Sequence, residues 1–180
     1  FPALHRPGLL NWQGKGIDLT PPWQRLSVHA AFRRYAGLEV EEAIRQDRYE
    51  ELLVTCIEPQ LGQQKPVFLC DYPVALGSLA RKSPTNAQLA ERFELYIAGM
   101  ELANGFSELV DAEEQRLRFV AEIAALHSQG REAAMPERFL DDLAALPPAA
   151  GIALGVDRLF MLLGGYADIR EAIPFSAETL

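Results

Sequence analysis

The segment "ELYIAGMELANGFSEL", residues 94–109, constrains the fold of this chain more than any other stretch. Apolar residues alternate with polar ones on both sides of Ala98-Gly99, which predicts a β-hairpin with a two-residue turn. The same hairpin carries the carboxylates of Glu94, Glu101 and Glu108. A buried carboxylate without a cationic partner costs several kcal/mol, so the hairpin needs a partner for its charge.

A two-residue turn would place Tyr96 opposite Glu101 and bring Glu94, Tyr96 and Glu101 to one face of the hairpin. Two carboxylates on one face repel each other, and a divalent cation would relieve the repulsion. Oxygen ligands without a nearby His or Cys favour Mg²⁺ over zinc, and Mg²⁺ suggests a nucleotide phosphate. The alternative is a half-exposed sheet on which these acids face solvent.

Asn104, Phe106 and Glu108 fall on the opposite parity of the second strand. They reach the Glu94 face only if a β-bulge intervenes, and Gly105 or its neighbours are where one is tolerated. With that bulge, we expect Glu108 to receive a ligand ammonium group, Asn104 to hydrogen-bond the ligand and Phe106 to line the pocket.

The remaining sequence predicts an α+β fold with an antiparallel sheet and flanking helices. Ser27, Asp111 and Pro136 are helix-start signals, whereas Gly130 and the pair Gly164-Gly165 are helix-stop signals. The predicted elements are a strand near 16–19, helices over 28–35 and 47–61, the strand "PVFLCDYP", helices over 112–128 and 137–146, the strand "GIALGV" and the helix "DRLFMLLGG".

Composition narrows the function classes. The 180 residues, 49% of them hydrophobic, suit one globular domain or part of one. With 17 Lys and Arg against 25 Asp and Glu, the net charge is −8, and without a basic run this disfavours a nucleic-acid partner such as tRNA. Two cysteines and three scattered histidines suggest neither disulfides nor zinc, so the reducing cytoplasm is expected. No apolar run is long enough for a membrane span, and no signal-peptide pattern opens the chain.

"GIALGVDRLF" carries a second polar feature. Gly151 and Gly155 lie in a predicted strand, where glycine is unfavourable unless a ligand must approach the backbone closely. Arg158 stands in the first turn of the following helix, where a cation opposes the helix dipole, so an anionic partner such as phosphate is expected. The alternative is a tight strand-to-helix corner in which Arg158 pairs with Asp157 or another surface acid.

"RFELYIAGMELANGFSELVDAEEQRLRF" and "GIALGVDRLFML" together resemble the catalytic domain of class II lysyl-tRNA synthetases, and the second stretch resembles their motif 3. "DYPVALGSLARK" and "GIDLTPPWQRLSVHAAFRRYAG" extend the resemblance over nearly the whole chain. The chain is more similar still to the GenX/PoxA-type elongation factor P–lysine ligases, which keep this catalytic core and lack the anticodon-binding domain.

The resemblance implies roles for the hairpin residues. Glu94 and Glu101 would hold Mg²⁺ with ATP. Asn104, Phe106 and Glu108 would form part of the lysine pocket, with Glu108 facing an amino group and Tyr96 as an adjoining contact.

The resemblance also assigns the second feature. Arg158 would contact the γ-phosphate of ATP, and Gly151 and Gly155 would let the nucleotide lie close to the backbone. Lysyl-tRNA synthetases generally have glycine at this position, whereas this chain has Ala153, and in this it resembles the elongation factor ligases. The implied activity is formation of an aminoacyl-adenylate from a lysine-type substrate, with a preference for β-lysine, and transfer to a lysine of elongation factor P.

Motif 1, which builds the dimer interface of class II synthetases, and motif 2, whose arginine binds the α-phosphate, are not found in the chain. Residues 1–180 are therefore expected to be the C-terminal part of a single catalytic domain without an anticodon-binding domain. Alone, this part should be weakly active or inactive, and the full-length protein should be a homodimer. Two alternatives stay open: a fragment of a true lysyl-tRNA synthetase, or a synthetase-like binding or regulatory module without catalysis.

Overall fold

The computed structural model describes residues 3–6 and 8–175 of the chain. Eight strands are present in this part, and we number them in chain order. They are β1 (Leu4–Arg6), β2 (Leu9–Trp12), β3 (Lys15–Asp18), β4 (Gln24–Ser27), β5 (Val67–Pro73), β6 (Leu89–Ile97), β7 (Met100–Ser107) and β8 (Ala150–Leu154).

The α-helices are mostly short, apart from one of 17 residues. They are α1 (Val28–Ala31), α2 (Val40–Arg45), α3 (Tyr49–Leu52), α4 (Ala112–Ser128), α5 (Glu137–Leu143) and α6 (Val156–Gly164). π-helical turns at Phe32–Ala36 and Leu53–Ile57 prolong α1 and α3, and 3₁₀ turns lie at Glu58–Gln60, Val74–Leu76 and Ile169–Glu171. No helix in the described part is both long and apolar enough to cross a membrane.

The strands form two sheets. β1, β2 and β3 make a three-stranded antiparallel sheet, and the second sheet has the order β4-β5-β6-β7-β8. Helices accompany these sheets, and the predicted α+β class is confirmed. One pair departs from the antiparallel expectation, because β4 and β5 are parallel, with Gln24 opposite Val67.

Most predicted elements are present, with revised boundaries. Ser27 and Asp111 cap α1 and α4 through their side chains, as expected, and α5 follows Pro136. The predicted helix over 47–61 is divided among α3, a π turn and a 3₁₀ turn, while α5 ends at Leu143 rather than at 146. The sequence reading missed α2 and the β2–β3 hairpin, whose turn residues Gln13 and Gly14 have φ of 49° and 79°.

The chain divides into two compact units. The first contains Phe1–Tyr72, Arg92–Gly105 and Ile152–Leu180, and the second contains Pro73–Glu91 and Phe106–Gly151. A buried cluster fills the first unit, in which the β6–β7 hairpin and α6 pack with the three-stranded sheet; its members are Ala3, Leu10, Ile17, Ile97, Leu102 and Leu162. The expected single catalytic domain stays a prediction.

Hydrogen bonds organise the second unit around α4. Arg118 donates to the carbonyl oxygens of Ser78 and Ala80 at 2.7 and 2.9 Å and pairs with Glu114 at 2.6 Å. Lys82 lies 3.1 Å from the same Glu114 carboxylate. The loop after β5 is thus fastened to the first half of α4.

Candidate active site

A tight turn joins β6 to β7, as the sequence predicts. Ala98 and Gly99 have φ of 57° and 77°, the positive values that a type I′ turn requires at both central residues. The loop before β5 fixes this turn, because Ala98 N donates to Gly62 O at 2.9 Å and Gly99 N donates to Leu61 O at 2.7 Å. Two backbone hydrogen bonds therefore attach the hairpin turn to this loop.

Glu94 lies at the centre of a buried hydrogen-bond network, with 6% of its surface exposed. Its Oε1 accepts from Arg92 Nη2 at 2.7 Å and from Asn104 Nδ2 at 3.2 Å, and its Oε2 accepts from the Tyr96 hydroxyl at 2.8 Å. Glu94 is therefore not a solvent-facing acid, and the guanidinium of Arg92 neutralises its charge.

Arg92 was missed by the sequence reading, although a signal was available. Residues two apart on a strand share a face, so Arg92 could have been placed beside Glu94 from spacing alone. Its guanidinium also lies over the Tyr72 ring, 4.6 Å from the centroid. Burial, followed by the nearby Glu94 carboxylate, raises the pKa of both Tyr72 and Tyr96, so both phenols stay neutral near pH 7.

Asn104 lies on the Glu94 face, which its hydrogen bond to Glu94 demonstrates. Leu102, two residues earlier, instead belongs to the apolar cluster that contains Ile97. In a regular strand, Leu102 and Asn104 would lie on the same face. Here Leu102 packs with Ile97 while Asn104 contacts Glu94, which is the departure from alternation that the expected bulge would produce. Asn104 Oδ1 is buried without a hydrogen-bond partner among the described residues, which leaves an acceptor for a ligand donor.

Glu101 and Arg158 are neighbours in the first unit. Arg158 Nη1 donates to the Glu101 carbonyl oxygen at 2.7 Å and lies 3.5 Å from its carboxylate Oε2. Burial raises the pKa of the Glu101 carboxyl group, Glu94 raises it further, and Arg158 opposes both effects. This repulsion between the Glu94 and Glu101 carboxylates is the one expected from their placement on one face of the hairpin.

An open cavity of about 230 Å³ adjoins these residues. Its lining includes Glu101, Asn104, Ala153, Gly155 and Arg158, which are five of the residues that the sequence singles out. Gly155 N donates to Leu102 O at 2.8 Å, and a Cβ on Gly155 would lie 3.5 Å from its nearest neighbours, an ordinary contact. Contacts within the protein therefore do not require glycine at position 155. The expectation that a ligand approaches the backbone there stays a prediction.

Phe106, Glu108 and Gly151 belong to the second unit. Glu108 Oε1 lies 3.1 Å from the position that a Cβ on Gly151 would occupy, so a larger residue there would crowd the carboxylate. The backbone N–H of Glu108 donates to Ala149 O at 2.9 Å. Phe106 is half-buried near the end of β7.

Glu94 and Glu101 are the two hairpin acids that could hold a divalent cation. Within the described ranges, no group of three or more His, Cys, Asp or Glu side chains forms a metal cage. Mg²⁺ that carries phosphates commonly uses only one or two protein carboxylates, and Glu94 and Glu101 supply that number. Arg92, Asn104 and Tyr96 donate to Glu94, so a cation at Glu94 would share the carboxylate with these donors.

The chain belongs to the family of class II tRNA synthetases (D, K and N), whose model matches residues 7–179. Its relatives include the lysine–tRNA ligase of Moorella thermoacetica, 38% identical over 93% of this chain and 38% of that protein. Those of Dehalococcoides mccartyi and Chloroflexus aurantiacus are 39% and 35% identical over 89% and 96% of this chain. The chain spans 37–40% of the length of these three relatives.

Proposed function

We propose that this chain is the ATP- and lysine-binding part of an enzyme that activates a lysine-type amino acid as its adenylate. The observation that carries the proposal is the hairpin site, in which Glu101, Asn104 and Arg158 line one cavity and Asn104 donates to Glu94. Membership of the class II synthetase family and the names of the relatives support the same reaction class.

In this reaction the substrate carboxylate attacks the α-phosphorus of ATP, pyrophosphate leaves, and the acyl group then passes to an acceptor. Arg158 would bind the γ-phosphate, Glu108 the substrate ammonium and Asn104 a substrate polar group. Mg²⁺ held by Glu94 and Glu101 would supply positive charge to the phosphates. No side chain of this chain is needed as a nucleophile, since positioning and charge provide the catalysis.

For the acceptor we propose a lysine amine of elongation factor P, with β-lysine as the substrate. Ala153, where lysyl-tRNA synthetases generally have glycine, and the net charge of −8 support a protein acceptor over tRNA. The second candidate is tRNA, because the relatives are named lysine–tRNA ligases. Binding of fluorescent tRNA and of labelled elongation factor P, measured by anisotropy at 150 mM salt, separates the two acceptors.

Glu108 provides the test of the lysine pocket. We expect Glu108→Gln to weaken binding of a non-hydrolysable lysyl-adenylate analogue by about 10- to 100-fold, since the ammonium group then faces a neutral amide oxygen instead of a carboxylate. Isothermal titration calorimetry with Mg²⁺ present measures the change. Glu122→Gln, an exposed acid of α4, removes the same charge and should bind like the wild type. Equal affinities for the Glu108 variant and the wild type would refute the assigned role.

Ala153 provides the test of substrate choice. We expect Ala153→Gly to shift the ratio of α-lysyl to β-lysyl analogue affinity by about tenfold toward the α form, because one methyl group leaves the cavity wall. The same calorimetric titration with both analogues gives the ratio. An unchanged ratio would mean that Ala153 does not select the isomer.

A further inference from the structure

The Tyr96 hydroxyl contacts two carboxylates at once. Its oxygen lies 2.8 Å from Glu94 Oε2 and 3.1 Å from Glu58 Oε1. Tyr96 is fully buried, with 0% of its surface exposed. The protein must therefore supply the partners of the Tyr96 hydroxyl itself.

A single hydrogen serves both contacts. A tyrosine hydroxyl has one hydrogen to donate, whereas an ionised carboxylate only accepts. The hydroxyl can therefore donate to Glu94 or to Glu58, but not fully to both. Rotation about the bond between the ring and the oxygen moves the hydrogen from one acceptor to the other, while every heavy atom stays in place.

The two acceptors differ in their surroundings. Arg92 and Asn104 donate to Oε1 of Glu94, whereas Tyr96 donates to Oε2. Glu58 is half-buried and stands at the start of the 3₁₀ turn Glu58–Gln60. The residues just after that turn, Leu61 and Gly62, accept hydrogen bonds from the hairpin turn, which keeps Glu58 beside Tyr96.

We propose that Glu58 is a positioning residue that receives the Tyr96 hydrogen when a divalent cation binds Glu94 Oε2. This inference rests on the proposed function, in which Glu94 and Glu101 hold Mg²⁺. When no cation is bound, the hydroxyl donates to Glu94 and compensates its buried charge. When a cation is bound, a hydrogen pointing at the same oxygen is repelled, and Glu58 offers it a charged acceptor.

By accepting the Tyr96 hydrogen, Glu58 lowers the free-energy cost of binding a cation at Glu94. Without this acceptor, the hydroxyl either stays directed at the cation-bound oxygen or becomes a buried donor without a partner. Both outcomes weaken the cation site, although Glu58 does not touch the cation. This role of Glu58 differs from simple attraction between its charge and the cation, because it requires the Tyr96 hydroxyl group.

A double-mutant cycle on the 180-residue chain tests the inference, with Mn²⁺ as the probe and calorimetry or electron paramagnetic resonance as the readout. We expect Glu58→Leu, which removes the acceptor, to weaken Mn²⁺ binding about tenfold in the presence of Tyr96. Tyr96→Phe alone should change the affinity by less than about threefold, because it removes one hydrogen bond from each state. The double variant should recover most of the affinity that Glu58→Leu loses, because Phe has no hydroxyl hydrogen that needs an acceptor.

Glu50→Leu is the matched control, since it removes one exposed carboxylate of α3. Equal losses from Glu58→Leu with Tyr and with Phe at position 96 would overturn the inference, because Glu58 would then act by charge alone. No Mn²⁺ binding by the folded wild-type chain would also overturn it. The analogue titration with Glu108→Gln reports separately on the proposed function, so the two failures are distinguishable.

Discussion

Arg92→Ala is expected to lower the free energy of unfolding by about 3–5 kcal/mol, the usual result of removing one member of a buried ion pair. Arg92 is the cation that neutralises Glu94, at 2.7 Å, and the two side chains are only 20% and 8% exposed. After the substitution Glu94 would keep Tyr96 and Asn104 as neutral donors, but its charge would have no cation beside it. The contact of Arg92 with the Tyr72 ring would be lost as well.

The neighbouring pair Arg81–Glu91 offers a matched control. Its nitrogen–oxygen distance of 2.6 Å is similar, but the side chains are 44% and 27% exposed. Arg81→Ala should therefore cost less than about 1 kcal/mol, since solvent screens the pair. Urea unfolding of both variants measures the difference. Similar costs for Arg92→Ala and Arg81→Ala would show that burial of Glu94 does not set the energetics of the hairpin.

A second variant separates lost charge from lost packing. Arg92→Met combined with Glu94→Gln removes both charges and keeps side chains of similar length, so the double variant should be more stable than Arg92→Met alone. If the double variant is as unstable as the single one, the alkyl chain and ring contact of Arg92, rather than its charge, stabilise the fold.

The hairpin could be predicted because the sequence signals that determine it lie within a few residues of one another. Strand alternation, a two-residue turn and an N-capping aspartate all act over a few residues, and β6, β7 and α4 appear where the sequence places them. Asn104 reaches the Glu94 face as the hypothesis required. The roles assigned to the site residues stay predictions.

The features that the sequence did not reveal depend on distant contacts. Glu58 meets Tyr96 across 38 residues of chain, and nothing in the local pattern around Glu58 indicates that contact. The parallel pairing of β4 with β5 is likewise set by the connection between them rather than by either strand. Within the helix predicted over 47–61, the Thr55 hydroxyl donates to Glu51 O at 2.6 Å in the segment that becomes π-helical. Such local competition for a carbonyl oxygen bends helices, and apolar periodicity does not report it.

Gly62→Ala is expected to destabilise the chain by about 3 kcal/mol or more, because two costs coincide at this residue. Gly62 has φ of +69°, where a side chain is strained. A Cβ there would also lie 2.5 Å from Tyr96 O and 2.7 Å from Ile97 Cα, both backbone atoms of the hairpin. Relief of that overlap requires the loop to withdraw from β6, which would break the Ala98 N to Gly62 O hydrogen bond.

Gly37 is the control for the first cost alone. Its φ of +66° is nearly the same, yet a Cβ there would meet no atom within 4 Å. Gly37→Ala should therefore cost only about 1 kcal/mol, and the excess for Gly62→Ala measures the steric overlap with the hairpin. The same withdrawal would move Glu58 away from Tyr96, so Gly62→Ala should also weaken Mn²⁺ binding, whereas Gly37→Ala should not. If both glycine variants unfold at the same urea concentration, the loop tolerates a methyl group and does not hold Glu58 rigidly against the hairpin.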